Sequence, residues 1–243
     1  MFEKKKLFIH GGSSLISKYL IKKFYPEYNE IHIFCRDKEK TKSILNIDNF
    51  EGLNVFFYEN DLENLDETLN DIDKLPDDLS GVLWVTGYTG DPNLEFENLN
   101  EAKKNLDVNF VNVVLAITKL SKKIKKNKSN FICVISSVAG LRGRKKRLFY
   151  SAGKGGLINF LSGLRQKIGN QIKIITVIPG YVSTISFKEK SYKFLITSPQ
   201  KASEIIFDAI KKNKEIVYIN SLWRLIMLII LSIPEVIYKK LSF

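Results

Sequence analysis

The sequence predicts one α/β domain, a doubly wound sheet of about seven parallel strands with helices on both faces. Two observations predict it. Short runs rich in β-branched and aromatic residues alternate with helical stretches as far as residue 220. The chain is 243 residues long and 44% apolar, enough for one full core, with no internal repeat, long linker or low-complexity tract. Alternation of this kind builds right-handed βαβ units, and ligands of such sheets sit outside the carboxyl ends of the strands.

The elements follow in order. "KLFIH" (6–10) reads as the first strand and 13–25 as a helix. "EIHIFC" (30–35) is the second strand, before a lysine-rich helix from about Lys38. "LNVFFYE" (53–59) is the third, followed by an acidic helix from Leu62. "GVLWVT" (81–86) is the fourth, and one or two helices fill 94–126. "NFICVISS" (130–137) is the fifth, leading through a basic loop into a helix that carries "FYSAGKGGL" (149–157). "IKIITVIPG" (172–180) and "EIVYIN" (215–220) are the sixth and seventh. Between them, "SPQKASEIIFDAIKKN" (198–213) opens on Ser-Pro, a good cap and first-turn pair. Residues 1–220 form the dinucleotide-binding and catalytic domain in this reading, and 221–243 an apolar helical tail.

Charge and cysteine usage bound the function. Lys and Arg number 38 against 26 Asp and Glu, a net charge of +12. That excess fits an anionic partner, or only a solvated lysine-rich surface. Nucleic acid has nothing but this charge in its favour, since no basic stripe is interleaved with aromatic residues. Cys35 and Cys133 both sit in strand-like runs and leave no CxxC metal pair or disulfide framework. A reducing, cytoplasmic setting fits, and the apolar part of "MFEKKKLFIHGG" is too short for a signal peptide. No metal is expected.

Two segments mark a nucleotide site. "HGGSSLIS" (10–17) is the first βα turn, where glycine lets backbone N–H groups approach a pyrophosphate at a helix N-terminus. An ordinary tight turn would read the same from this loop alone. After the second strand, Arg36 stands where an acidic residue would bind ribose hydroxyls, and arginine suits a 2′-phosphate. This favours NADP(H) over NAD(H), with Asp37 one position further on.

Tyr150 and Lys154 lie at i and i+4, on one side of a helix. A phenol with a reference pKa of about 10 is a poor proton donor or acceptor near neutrality, and a nearby ammonium lowers that value. Such a pair can move a proton to or from a substrate oxygen. Gly153, Gly155 and Gly156 cluster around Lys154, although each interior glycine costs a helix roughly 1 kcal/mol. Ser137 lies 13 residues before Tyr150, Asn109 sits in "LDVNF", and "VIPGYVST" (177–184) ends the sixth strand.

This combination resembles the short-chain dehydrogenase/reductase family, from Leu7 to about Thr184. The resemblance implies a Rossmann fold and carbonyl chemistry. Tyr150 would be the catalytic acid, Lys154 would lower its pKa and hold the nicotinamide ribose, and Ser137 would polarise the carbonyl. Asn109 would hold a water linking Lys154 to solvent. Gly11, Ser14 and Ile16 fall in the family's phosphate loop. Asp61 would contact adenine, and Gly87 ends a turn that reads Trp84, Val85, Thr86, Gly87 here. Pro179, Gly180 and Thr184 match the segment beside the nicotinamide. The resemblance implies a homodimer or homotetramer, with the glycines of the Tyr150 helix allowing close packing against a copy. "GYTGD" (87–91), "SSVAGLRGR" (136–144) and the tail look like the branch that includes decaprenylphosphoryl-2-keto-erythro-pentose reductase.

The tail is apolar from Leu222 to Ile233 except for Arg224 and Ser232, so it has no polar face. It is too short for the roughly 20 residues that span a bilayer. Either it covers the substrate pocket or a subunit interface, or it dips into a membrane surface with Arg224, Lys239 and Lys240 at headgroup level. The loop before Tyr150 holds Arg142, Arg144, Lys145, Lys146 and Arg147. It is a solvated loop or a phosphate-facing one. The reading that results is an NADPH-dependent carbonyl reductase acting on a lipid-linked or phosphorylated ketosugar in cell-envelope glycan synthesis, cytoplasmic or peripheral on the inner face of the membrane. Reduction of a 3-oxoacyl lipid or other hydrophobic ketone, and a non-catalytic NADP-binding scaffold, are the alternatives.

Overall fold

The computed structural model describes residues 5–46, 50–91, 93–94, 96–183 and 193–241. Thr184 lies outside them. Strands β1 (Lys6–His10), β2 (Glu30–Cys35), β3 (Asn54–Glu59), β4 (Gly81–Trp84), β5 (Phe131–Ile135), β6 (Lys173–Ile178) and β9 (Ile216–Tyr218) form one parallel sheet in the order β3-β2-β1-β4-β5-β6-β9. The order reverses between β1 and β4, so a crevice opens there at the strands' carboxyl ends.

Residue alternation places two cores on the two faces. Leu7, Ile9, Ile31, Ile33, Cys133 and Ile175 meet the first set of helices, α1 (Leu15–Phe24), α2 (Lys38–Leu45) and α7 (Pro199–Lys211). Phe8, Phe34, Val82, Trp84, Ile132 and Val134 meet the second set, α3 (Leu65–Asp73), α5 (Asn112–Lys123) and α6 (Leu148–Ile168). Strands buried on both faces need apolar side chains at both parities, which is why β1, β4 and β5 read as unbroken apolar runs. Each fully buried Phe, Leu or Ile contributes about 1.5–3 kcal/mol.

Side-chain caps set the helix starts. Ser14, Asp37, Asn64 and Ser198 each accept a first-turn N–H, at α1, α2, α3 and α7. Asn64 bonding Glu67 N explains why α3 begins at Leu65, later than the expected Leu62. Between α4 (Leu99–Leu106) and α5 the chain widens into a π-helical turn, Asp107–Val111. One further pairing was not foreseen, β7 (Tyr181–Val182) with β8 (Ile196–Thr197). The tail folds back as α8 (Ser221–Ser232) and α9 (Glu235–Tyr238), with Trp223 and Met227 buried against Val138, Ile178 and Leu195. Cys35 and Cys133 are free and buried.

Candidate active site

The candidate catalytic residues Ser137, Tyr150 and Lys154 lie where β5 passes into α6. Ser136 closes the junction, its N–H donating to Val177 O and its hydroxyl to Lys154 O at 2.9 Å. Ser137 opens a 3-10 turn, Val138–Gly140, with its hydroxyl accepting from Ala139 N. Tyr150 is partly buried beside it. Burial raises the Tyr150 pKa, a hydrogen bond from Ser137 lowers it, and so does the charge of Arg147. The ammonium of Lys154 donates to the Ile135 carbonyl, 3.2 Å away. Burial lowers Lys154 itself to about 8.

Asn109 is fully buried in the π-helical turn. Its Nδ2 donates to Tyr88 O at 2.6 Å and to Asn105 O and Oδ1, while its Oδ1 accepts from Tyr88 N. The side chain clamps the Tyr88 backbone. A Cβ at Gly87 would lie 3.2 Å from Lys154 Nζ and 3.5 Å from Asn109 Oδ1, so the backbone passes close to the lysine here. A widened helical turn is a common device for aiming a residue into a functional site.

The glycines around Lys154 make close approaches within the chain. A Cβ on Gly155 would meet Gly140 O at 2.8 Å, and one on Gly140 would meet Lys154 C at 2.6 Å. A Cβ on Gly153 would press on Asn109, and one on Gly156 on the Phe110 ring. These approaches lie within one chain. They seat α6 against the Ser137 turn on one side and the Asn109 turn on the other, and so bring all four residues together.

The nucleotide side is a polar cleft of about 260 Å³. Gly11, Ser13, Ser14, Arg36, Asn60, Asp61 and Gly87 line it. Gly11 has a φ of +95°, and a Cβ there would meet Thr86 Oγ1 at 2.6 Å. Ser17 Oγ donates to Gly11 O, and Ser14 caps α1, so the loop's backbone is held at a helix N-terminus. His10 Nδ1 lies 2.5 Å from Thr86 Oγ1, and burial lowers its pKa to about 3, which leaves the cleft floor neutral. Asp37 is engaged as the α2 cap, accepting from Lys40 N, while Arg36 is exposed at the rim. Ile16 faces away and packs on the core, and Pro179 and Gly180 lie outside the cleft. Pro179 O accepts from Val138 N, and Gly180 sits against Trp223, whose ring would be 1.9 Å from a Cβ. Ser13 and Asn60 were not singled out in advance. Both follow carboxyl ends of strands, a positional signal that could have found them.

The turn that follows Ser137 borders an apolar pocket of about 300 Å³. Val138 and Ala139, next to Ser137, form its inner end, with Tyr181 and Leu195 beside them. Trp223, Ile226, Met227 and Ile230 of α8 form its wall. Trp223 Nε1 donates to Leu195 O, which fixes the helix in place. The basic loop divides by role. Arg142 donates to Ile230 O, to Ile233 O at 2.7 Å and to Glu235, and stacks on Tyr238. Arg147 donates to Thr89 O and Gly90 O. Arg144 lines the apolar pocket, and Lys145 and Lys146 are exposed. Two of the five cations are thus structural. Among the described residues, no group of His, Cys, Asp and Glu is arranged to hold a metal ion.

Comparisons with known proteins bear on the fold and the family. The chain is 24% identical over 244 residues to an 11-beta-hydroxysteroid dehydrogenase-like protein of Arabidopsis thaliana, covering 96% of this chain and 79% of that one. It is 27% identical over 138 residues to a 3-oxoacyl-[acyl-carrier-protein] reductase of Bos taurus, covering 56% and 57%. The crystal structure of a short chain dehydrogenase from Burkholderia cenocepacia in complex with NADP superposes with a TM-score of 0.81 at 16% identity, over 99% of this chain and 98% of that one. Residues 5–193 match the short chain dehydrogenase family, and the chain is a member of that family of oxidoreductases.

Proposed function

We propose that the protein is an NADPH-dependent carbonyl reductase whose substrate carries an apolar, lipid-like portion and an anionic group. One observation carries the reading: Val138 and Ala139, which directly follow Ser137, line an apolar pocket that Arg144 also lines, while Gly87, close to Lys154, lines a polar cleft shaped for a nucleotide. The cleft fits a dinucleotide, because its positive-φ glycine, its helix N-terminus and the glycine over Lys154 leave backbone room. Gly11, Ser13 and Ser14 would hold the pyrophosphate, Asp61 the adenine, Gly87 and Lys154 the nicotinamide ribose, and Arg36 the 2′-phosphate. Asp37 Oδ1 is engaged as the α2 cap while Arg36 lines the cleft, which supports NADP(H). The bound nicotinamide supplies the hydride. Ser137 donates a hydrogen bond to the substrate oxygen, and Tyr150 delivers the proton to that oxygen as charge develops on it. Lys154, largely protonated at neutral pH, keeps a positive charge beneath the site.

Within this class we favour a lipid-linked or phosphorylated ketosugar of the cell envelope, with a phosphate at Arg144 and the chain along Trp223, Met227 and Ile230. The enzyme would work in the cytoplasm, on the inner face of the membrane, as a homodimer or homotetramer. A 3-oxoacyl lipid is the second reading, supported by the apolar lining of the pocket. The test is NADPH consumption with a lipid fraction and a water-soluble fraction from cells that accumulate unreduced glycan precursors, with Tyr150→Phe as control. Tyr150-dependent turnover on the lipid fraction supports the reading, and product identification separates sugar from acyl chain. Turnover confined to the soluble fraction would sink it.

A further inference from the structure

The α8 helix is apolar on both sides. Trp223, Ile226, Met227 and Ile230 recur at i, i+3, i+4 and i+7 and face the pocket. The opposite side carries Leu225, Leu228 and Ile229, which are 58%, 63% and 59% exposed. Leu222, Leu231, Val236, Ile237 and Leu241 continue that surface through α9. Apolar residues all round a helix normally mean burial on all sides. Monomeric proteins rarely leave so large an apolar patch uncovered. No helix among the described residues is long and apolar enough to cross a membrane.

The charges around the patch choose between occupants. Arg224, Lys239 and Lys240 are exposed on the tail itself, and Lys145 and Lys146 on the loop that Arg142 ties to it. The tail's acid, Glu235, is paired with Arg142. A two-fold contact with a second copy would bring this cationic rim against itself. An anionic bilayer surface matches both the apolar centre and the rim.

We infer that the outer face of α8 and α9 docks the protein on an anionic bilayer, with Leu225, Leu228 and Ile229 among the acyl chains and Arg224, Lys239 and Lys240 at the headgroups. Because the inner face of α8 walls the apolar pocket, docking places that pocket one helix away from the lipid. A lipid-borne ketone can then reach Tyr150 without crossing water. This last step deepens the proposed function and rests on it, whereas the docking surface does not.

The test uses the full chain with NADPH and two sets of vesicles, phosphatidylcholine alone and phosphatidylcholine with phosphatidylglycerol, read by flotation. Binding to the anionic vesicles should be stronger by at least about tenfold and should weaken with salt. Leu225→Gln with Leu228→Gln should lower it by about tenfold while melting temperature and NADPH binding stay unchanged. Equal or absent binding to both vesicle types would overturn the inference. So would a dimer in sedimentation velocity that the leucine pair dissociates, since the face would then be a subunit contact. Vesicle binding with no turnover on any ketone keeps the surface and removes the substrate reading. Turnover on a lipid ketone with no vesicle binding removes the surface alone.

Discussion

The nucleotide cleft and the apolar pocket, the two sides of the candidate site, are built in different ways. The nucleotide cleft is made of backbone and small side chains at the ends of β1, β2, β3 and β4, fixed by a cap, a positive-φ glycine and close glycine contacts. The apolar pocket is made of large side chains, and its outer wall comes from a helix more than 80 residues further along the chain than Ser137. Backbone hydrogen bonds hold the cleft, such as those from Gly11 and Gly12 N–H to Phe34 O. The pocket depends on how α8 packs, which rests on Trp223, Met227 and the Arg142 contacts. One side can stay constant while the other is changed by substitution in the tail.

The largest effect should come from the shared centre. Tyr150→Phe should lower turnover by about 10²–10⁴-fold. NADPH affinity and melting temperature should stay near wild type, measured by fluorescence titration and calorimetry. A small loss of turnover would mean that the proton comes from elsewhere. Arg36→Ala touches the cleft alone. It should weaken NADPH binding by about 10–100-fold and leave NADH unchanged, since it removes a charge-assisted bond to one phosphate. Equal losses for both cofactors would break the assignment.

The pH profile tests Lys154. Its pKa is lowered from 10.5 to about 8, so it carries its proton below that value and loses it above. The value of kcat/KM for reduction should therefore fall above about pH 8, by roughly tenfold per unit as the cation disappears. The sign for stability is opposite. Between about 8 and 10.5 the unfolded chain binds more protons at this position than the fold does, so its contribution to stability rises with pH. A flat kinetic profile from pH 7 to 9 would contradict the role of the charge. The smallest effect belongs to the pocket. Ile226→Ala should raise KM for an apolar ketone by about three- to tenfold, with NADPH binding intact. A matching change in NADPH affinity would show that the two sides are not separable.

Much of this was legible in the sequence because it is local. Strand alternation and apolar runs gave seven sheet strands, and Ser198-Pro199 marked the start of α7. The i, i+4 spacing put Tyr150 and Lys154 on one helix, and Gly11 marked the turn. What the spacing did not reveal was where each polar atom points. Asn109 holds the Tyr88 backbone, Lys154 is aimed at Ile135 O, and two loop arginines serve the tail and the Gly90 turn. These follow from distances between elements far apart in the chain.

By itself the sequence determined the fold class, the order of elements, the family and the chemical types at the centre, since periodicity, caps and turn residues act over a few positions. The tertiary structure decided three things. Gly140, Gly153, Gly155 and Gly156 serve close contacts inside one chain, because only the packed backbone shows what a Cβ would strike. Burial sets the Tyr150 and Lys154 pKa values in opposite directions, because desolvation penalises the charged form of each. The inner face of the tail is a pocket wall, because side-chain packing between distant segments chose which side of an all-apolar helix turned inward.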